Sequence, residues 1–177
     1  SIMKIEYKTE AEIRSEKKLL QKASLDALTG IFNRHHFTKL ASMEMAYASR
    51  HKLPIGVIMM DIDNFKQVND TYGHQSGDLV LAQLANTVIE NKRTEDLFGR
   101  YGGDEFFILL PETDTTSAQQ TGEKIRHNFN NRWPYNVIYK HIDLTPVTMS
   151  VGVAQLEPNE SAESLIKRAD VAMYEAK

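Results

Sequence analysis

The 177-residue sequence lacks cysteine and has no excess of basic residues. The absence of cysteine excludes disulfide bonds and thiolate metal sites. With 21 Lys and Arg against 24 Asp and Glu, the formal net charge is −3, which argues against a general nucleic-acid binder. It does not argue against a nucleotide, because bound cations can offset phosphate charge locally.

Long apolar runs are also missing. No stretch approaches the roughly 20 apolar residues needed to span a bilayer, and no signal peptide is visible. We therefore expect a cytoplasmic domain without membrane contact of its own, although the intact protein could carry a membrane anchor. The histidines show no ligand spacing, so we do not expect them to bind metal; they are His35, His36, His51, His74, His127 and His141.

The most informative stretch is residues 100–107, Arg-Tyr-Gly-Gly-Asp-Glu-Phe-Phe. Adjacent Gly102 and Gly103 predict a tight turn whose backbone can adopt positive φ and let another group approach closely. Asp104 and Glu105 follow where the turn re-enters a strand. Carboxylates beside an accessible backbone suit a phosphate and a hard cation, whereas the alternative is an ordinary solvated turn.

A second acidic element favours the functional interpretation. Residues 54–62 form an apolar run that carries Asp61 near its end, as a buried strand does when it delivers a carboxylate to the edge of a sheet. Asp61 and Asp63 would share one face, with Ile62 on the other. For Asp63 we keep the simpler interpretation of a polar strand end that caps the next turn.

The hydrophobic pattern predicts an α+β fold. Its core order is strand, helix, strand, strand, helix, strand, a βαββαβ (ferredoxin-like) arrangement with antiparallel strands covered by helices. The predicted elements are a helix from Asn33 to about His51, a strand ending at Asp61, a polar loop to Gly77 followed by a helix, strands at 97–101 and 105–110, a helix at 117–129, a strand at 147–154, a helix from Ala162, and a further strand or hairpin near 135–143. This order would make Asp61 and Asp104 neighbours.

The N-terminal segment is organised differently. Residues 2–23 are highly charged with sparse apolar positions, so we expect residues 1–23 to be a linker helix or the end of a coiled coil. The domain proper would cover residues 24–177.

With these residues identified, the chain resembles the GGDEF-domain diguanylate cyclases, whose signature is Gly102-Gly103-Asp104-Glu105-Phe106. The resemblance extends to four further segments in the family order: 26–34 (DALTGIFNR), 61–78 (DIDNFKQVNDTYGHQSGD), 150–153 (SVGV) and 169–177 (ADVAMYEAK). It implies the fold shared by nucleotidyl cyclases and polymerase palms.

The resemblance also implies an activity. The family condenses two GTP molecules into cyclic di-GMP, releases two pyrophosphates, and works as a homodimer with one GTP per subunit. Two magnesium or manganese ions per site would bind Asp61, the carbonyl of Ile62, Asp104 and Glu105, where they would acidify the attacking 3′-hydroxyl and stabilise the leaving group. Asp104 and Glu105 are the catalytic candidates, and which of them accepts the proton stays open.

Substrate and product positions follow from the same resemblance. Guanine selection falls to Asn69 and Asp78, and phosphate binding falls to Lys66, Lys177 and the Gly102-Gly103 backbone. Arg93 and Asp96 match the family's RxxD motif, which binds cyclic di-GMP as an inhibitor; the alternative is a solvated surface loop.

Two rival functions remain at this point. One is an inactive GGDEF module that serves as a receptor for GTP or cyclic di-GMP. The other is an RNA-binding sheet of the same strand order, with Tyr101, Phe106 and Phe107 stacking on bases.

Overall fold

The computed structural model describes residues 8–131 and 147–175. Within these residues the chain forms, in order, α1 (Glu10–Ser24), β1 (Phe32–Asn33), α2 (Arg34–His51), β2 (Ile55–Ile62), α3 (Phe65–Tyr72), α4 (His74–Asn91), β3 (Leu97–Arg100), β4 (Glu105–Pro111), α5 (Thr115–Asn131), β5 (Met149–Gln155) and α6 (Ala162–Glu175).

A five-stranded sheet in the order β1-β3-β4-β2-β5 forms the centre of the fold. Strand β2 pairs antiparallel with β4 on one side and with β5 on the other, and β3 pairs antiparallel with β4. Only the two-residue β1 runs parallel to its neighbour β3 among the described strands. The elements β2, α4, β3, β4, α5 and β5 follow the predicted order, so the predicted α+β fold is confirmed.

The two faces of β2 and β4 bury two separate apolar clusters. Alternate residues such as Ile58 and Phe106 pack toward α4 and α5, where Leu84 and Ile125 are fully buried. The intervening residues, Phe107 among them, pack toward α2 and α6. Because both faces are covered, the strands are continuously apolar until their ends, and the polar residues of β2 fall at its C-terminal edge.

The prediction of a polar loop before Gly77 is wrong, because helix α3 occupies much of that segment. Phe65, Val68 and Tyr72 recur at helical spacing, and all three pack against the core. This three-residue pattern was hidden among polar side chains. Strand β1 was not predicted either, because two residues carry no periodicity.

Several helix predictions are confirmed. Helix α2 begins after Asn33, whose side chain accepts a hydrogen bond from the His36 N–H, and it ends at His51. Helix α5 covers the helix predicted at 117–129, and it buries one stripe, which consists of Ala118, Gly122, Ile125 and Phe129. The expected strand or hairpin near 135–143 lies outside the described residues. No helix among the described residues has the length and apolar character required to cross a membrane.

Candidate active site

The central feature of the site is a pair of carboxylates on adjacent strands. Asp61 on β2 is the direct register partner of Glu105 on β4. Side chains directly opposite each other in an antiparallel pair lie on the same face, with Cβ atoms about 4.5–5.5 Å apart. Both residues are half-buried. The sequence pattern predicts Asp104 as the neighbour of Asp61. Asp104 lies one position nearer the turn, and the register partner of Asp61 is Glu105.

This arrangement suits a divalent cation. Opposed like charges destabilise a strand pair unless a positive group lies between them, and carboxylate and carbonyl oxygens are the ligands that magnesium prefers. The carbonyl of Ile62 adjoins Asp61 in the chain. The described residues contain no cluster of three or more His, Asp or Glu side chains suited to a metal, so a cation here would depend on the carboxylate pair, a backbone carbonyl and its other ligands.

The signature turn is closed by its own backbone. The N–H groups of Tyr101 and Gly102 both donate to the carbonyl of Glu105, at 2.8 and 3.3 Å. A Cβ added at Gly102 would lie 2.5 Å from Glu105 Oε2, so this glycine leaves room for the catalytic candidate.

Gly103 is not explained by the fold. Neither Gly102 nor Gly103 has positive φ, so the turn does not use the left-handed backbone that its glycines permit. A Cβ at Gly103 would meet no atom within 4 Å. Neither backbone conformation nor packing requires glycine there, so the sequence prediction that a ligand approaches the backbone at Gly103 stays a prediction.

Arg100 holds the turn in place and was not singled out by sequence reasoning. Its guanidinium donates to the carbonyl of Gly103, at 2.7 Å from Nη2 and 3.1 Å from Nε. The same group pairs with both carboxylate oxygens of Asp26, at 3.1 and 3.2 Å. Arg100 therefore connects the signature turn to the segment that follows α1. No sequence signal links two residues 74 positions apart.

The groups around Asp26 favour its ionised form. Burial opposes ionisation, but the hydrogen bonds from the Thr29 hydroxyl and N–H, together with Arg100, outweigh burial and hold the pKa of Asp26 below its usual value. The Asp26 carboxylate is thus a fixed negative anchor for Arg100 at neutral pH.

Asp63 does not cap the following turn, so that sequence interpretation is wrong. Its two carboxylate oxygens accept hydrogen bonds from the hydroxyls of Thr148 and Ser150, each at 2.6 Å, and its N–H donates to the Thr148 carbonyl at 2.9 Å. The residue at the start of α3 is Asn64, which makes no side-chain cap. Asp63 instead ties the end of β2 to β5, beside a polar cleft of about 730 Å³.

The proposed guanine-reading residues lie on two packed helices. Asn69 is on α3, and Asp78 is exposed in the first turns of α4. The Oδ1 atom of Asn69 is buried and has no hydrogen-bond partner among the described residues. Lys66 is exposed on α3, and Lys177 lies outside the described residues.

The RxxD pair lies in the connection between α4 and β3, outside the two strands that carry Asp61 and Glu105. Arg93 is exposed, whereas Asp96 is only 4% exposed. Asp96 Oδ2 accepts the backbone N–H of Arg93 at 2.7 Å, and Oδ1 has no hydrogen-bond partner within the described part of the chain. Burial raises the pKa of Asp96 and outweighs this hydrogen bond. Asp96 thus shapes the turn as well as offering a candidate contact to a ligand.

The aromatic residues of the sheet argue against RNA binding. Phe106 and Phe107 are fully buried between the sheet and its helices, so neither can stack on a base. Tyr101 packs edge-on against Phe107 and is covered by the Arg34 guanidinium, 4.2 Å from the ring centre. The RNA-binding alternative is therefore wrong.

Comparison with known proteins identifies the family of this chain. The family model described as diguanylate cyclase, GGDEF domain, matches residues 23–177, and the chain belongs to this family. It is 37% identical over 159 residues to the response regulator PleD of Caulobacter vibrioides, covering 89% of this chain and 35% of PleD. It is 36% identical to diguanylate cyclase A of Treponema denticola, covering 90% of this chain and 43% of that protein.

A solved structure is also similar. The coiled coil and GGDEF domain of DgcB from Caulobacter crescentus, in complex with c-di-GMP, matches with a TM-score of 0.88 at 32% identity, covering 93% of this chain and 86% of that one. The fold is therefore the nucleotidyl cyclase palm-like fold. The chain spans only 35% and 43% of the two curated relatives named above, which carry further sequence outside the shared domain.

Proposed function

We propose that this GGDEF domain condenses two GTP molecules into cyclic di-GMP and releases two pyrophosphates. The observation that carries the proposal is the direct pairing of Asp61 with Glu105 beside the Gly102-Gly103 turn. Acidic residues lost from these positions would have favoured a receptor that makes no product, and here both are present.

The metal ligands in this proposal are Asp61, the Ile62 carbonyl, Asp104 and Glu105. Two divalent cations, when bound, would supply Lewis acidity and charge stabilisation for attack on an α-phosphate. The protein's part is to hold the oxygen ligands in place, which Arg100 does for the turn and Asp63 does for the end of β2. Asp104 and Glu105 are both candidates to accept the 3′-hydroxyl proton.

Substrate recognition divides between base and phosphates. Asn69 and Asp78 would select guanine, because carboxylate and amide oxygens accept from its N1–H and 2-amino donors, a pair that adenine lacks. Lys66 and Lys177 would neutralise phosphate charge, and the open Gly103 backbone would allow close approach. Each domain would hold one GTP, so the reaction needs two subunits whose sites face each other.

Product control would use Arg93 and Asp96. An exposed guanidinium can bind guanine O6 and N7 with two parallel hydrogen bonds. A cyclic di-GMP that joins this surface to a second domain would keep two active halves apart and lower the rate without touching the metal ligands.

The test is incubation of purified protein with GTP and magnesium, and separately with manganese, followed by nucleotide chromatography. We expect cyclic di-GMP from GTP and no corresponding product from ATP. An Asp61→Asn variant serves as the inactive control. Folded, dimer-competent protein that binds GTP yet yields no cyclic product would refute the enzyme and favour the receptor.

A further inference from the structure

Helices α3 and α4 approach each other closely where Gly77 meets Asn69. A Cβ added at Gly77 would collide with Asn69 Oδ1, and it would lie 2.9 Å from Asn69 Cγ and 3.2 Å from Phe65 Cζ. Real Cβ atoms do not make contacts this close, so no larger residue fits at position 77 while Asn69 keeps its position.

The backbone gives no other reason for glycine at position 77. Gly77 lies within α4 and does not have positive φ. Glycine inside a helix costs about 1 kcal/mol relative to alanine. The close approach to Asn69 is therefore what this glycine provides.

A second, independent observation concerns Asn69 itself. Its Oδ1 atom is buried without a hydrogen-bond partner among the described residues. Buried acceptors are nearly always paired, and each exception calls for an explanation. An acceptor that awaits an N–H donor from a ligand is such an explanation.

We propose that Gly77 is a positioning residue for base recognition. It sets the orientation of the Asn69 amide, and it sets the spacing between α3 and α4 that brings Asn69 close to Asp78, the residue that follows Gly77 in the chain. This inference rests on the proposed function, since it assigns Gly77 to the guanine end of the same site.

The test compares Gly77→Ala with the parent enzyme. We expect KM for GTP to rise about tenfold or more, the equivalent of one lost or misdirected hydrogen bond. Inhibition by inorganic triphosphate, which has no base, should stay within twofold of the parent. A merely structural disturbance of the site would weaken both together.

A double-mutant cycle with Asn69→Ala makes the test sharper. If Gly77 acts through Asn69, then adding Gly77→Ala to Asn69→Ala should raise KM by less than twofold. Gly122→Ala is the matched control, because it also places a methyl at a crowded glycine of a helix, here α5, 2.9 Å from Val151 Cγ1 on β5. It should leave KM for GTP unchanged.

The outcomes separate this inference from the proposed function. A parent protein that makes no cyclic di-GMP refutes the activity, and binding of a fluorescent GTP analogue then measures the effect of Gly77→Ala instead. If Gly77→Ala fails to fold, the double variant with Asn69→Ala should fold, because the colliding amide is gone. Parent-like GTP affinity in Gly77→Ala, or additive effects in the cycle, would overturn the inference.

Discussion

Replacement of Arg100 by alanine should damage catalysis more than stability. Arg100 bonds both the signature turn, at the Gly103 carbonyl, and the segment after α1, at Asp26. Its removal would release the turn that carries Asp104 and Glu105 without changing either acid.

The stability cost can be worked from the contacts. The Arg100 and Asp26 side chains are 17% and 22% exposed, so their pair is only partly screened by water. Hydrogen bonds to charged groups contribute about 1.5–3 kcal/mol, and exposed ion pairs contribute about 0–1 kcal/mol. Asp26 keeps its bonds to Thr29, so the variant does not strand a buried charge. We expect Arg100→Ala to lower the free energy of unfolding by about 2–3 kcal/mol, or roughly 4–12 °C in Tm.

A loss of that size leaves most molecules folded at 25 °C, because domains are typically stable by about 5–15 kcal/mol. A fall in kcat of tenfold or more would therefore report a displaced turn and not a smaller folded fraction. The measurements are urea unfolding followed by circular dichroism, and steady-state production of cyclic di-GMP at saturating GTP and magnesium.

Arg168 offers a matched control at the opposite end of the sheet. Its guanidinium also bonds a carboxylate, Glu160, and a backbone carbonyl, that of Gln155, each at 2.6 Å. Arg168→Ala should lower stability by a similar amount and leave kcat unchanged. Equal kcat values in the two variants would refute a role for Arg100 in positioning the turn.

The pH dependence of the same variant follows from Asp26. The pKa of Asp26 is lowered in the folded protein, so its stabilisation is present above its ordinary value of about 3.8 and is lost as the pH falls through the lowered one. Arg100→Ala removes part of that lowering. Its unfolding free energy should therefore fall less steeply than the parent's between pH 5 and pH 3 in a series of urea titrations.

Three further predictions concern other parts of the molecule. Asp104→Asn should abolish product formation and leave the thermal unfolding curve unchanged, because the half-buried acid lies at the turn and outside both apolar clusters; a variant that keeps most of its rate would remove Asp104 from the metal ligands. Arg93→Ala should relieve inhibition by cyclic di-GMP without changing the initial rate. It should also leave the fold unchanged, since Asp96 accepts its hydrogen bond from the Arg93 backbone and not from the side chain. Inhibition as strong as in the parent would assign the motif to a solvated loop. The Arg168 hydrogen bond, opposed by burial, lowers the pKa of Glu160 to about 2. This pair should therefore stabilise the fold fully above pH 4.5 and lose its effect as the pH falls toward 2. The unfolding curves of the parent and of Arg168→Ala should converge over that interval.

Most strands and helices of the fold were predictable from local patterns in the sequence. The apolar runs of β2 and β4 and the stripe on α5 have the periods of their secondary structures, and both faces of the sheet are covered as continuous apolar strands require. The failure at α3 has a physical cause. Its one buried residue, Val68, lies among polar neighbours that face solvent or the proposed base site, so the helical period is supported by only three side chains.

The sequence predicted which acidic residues form the site, but it did not predict which residues contact one another there. Asp61, Asp104 and Glu105 follow from acids at strand ends, but their register does not, and it pairs Asp61 with Glu105. Asp26, the carboxylate partner of Arg100, lies 74 positions away, and the hydroxyl partners of Asp63 lie 85 and 87 positions away. Only the assembled sheet brings such residues together, and no periodicity in one sequence encodes them.

The contacts around Asp61 and Glu105 hold the two carboxylates opposite each other. Asp61 and Glu105 stand directly across β2 and β4, where like charges reduce the stability of the strand pair. Contacts on both sides fix the backbone around this pair. Toward β5, Asp63 accepts two hydroxyl hydrogen bonds that fix the end of β2. Toward β3, Arg100 fixes the turn that leads into β4. With both ends fixed, the strand register that places the two acids opposite each other is held, so a bound cation would meet ligands already in place.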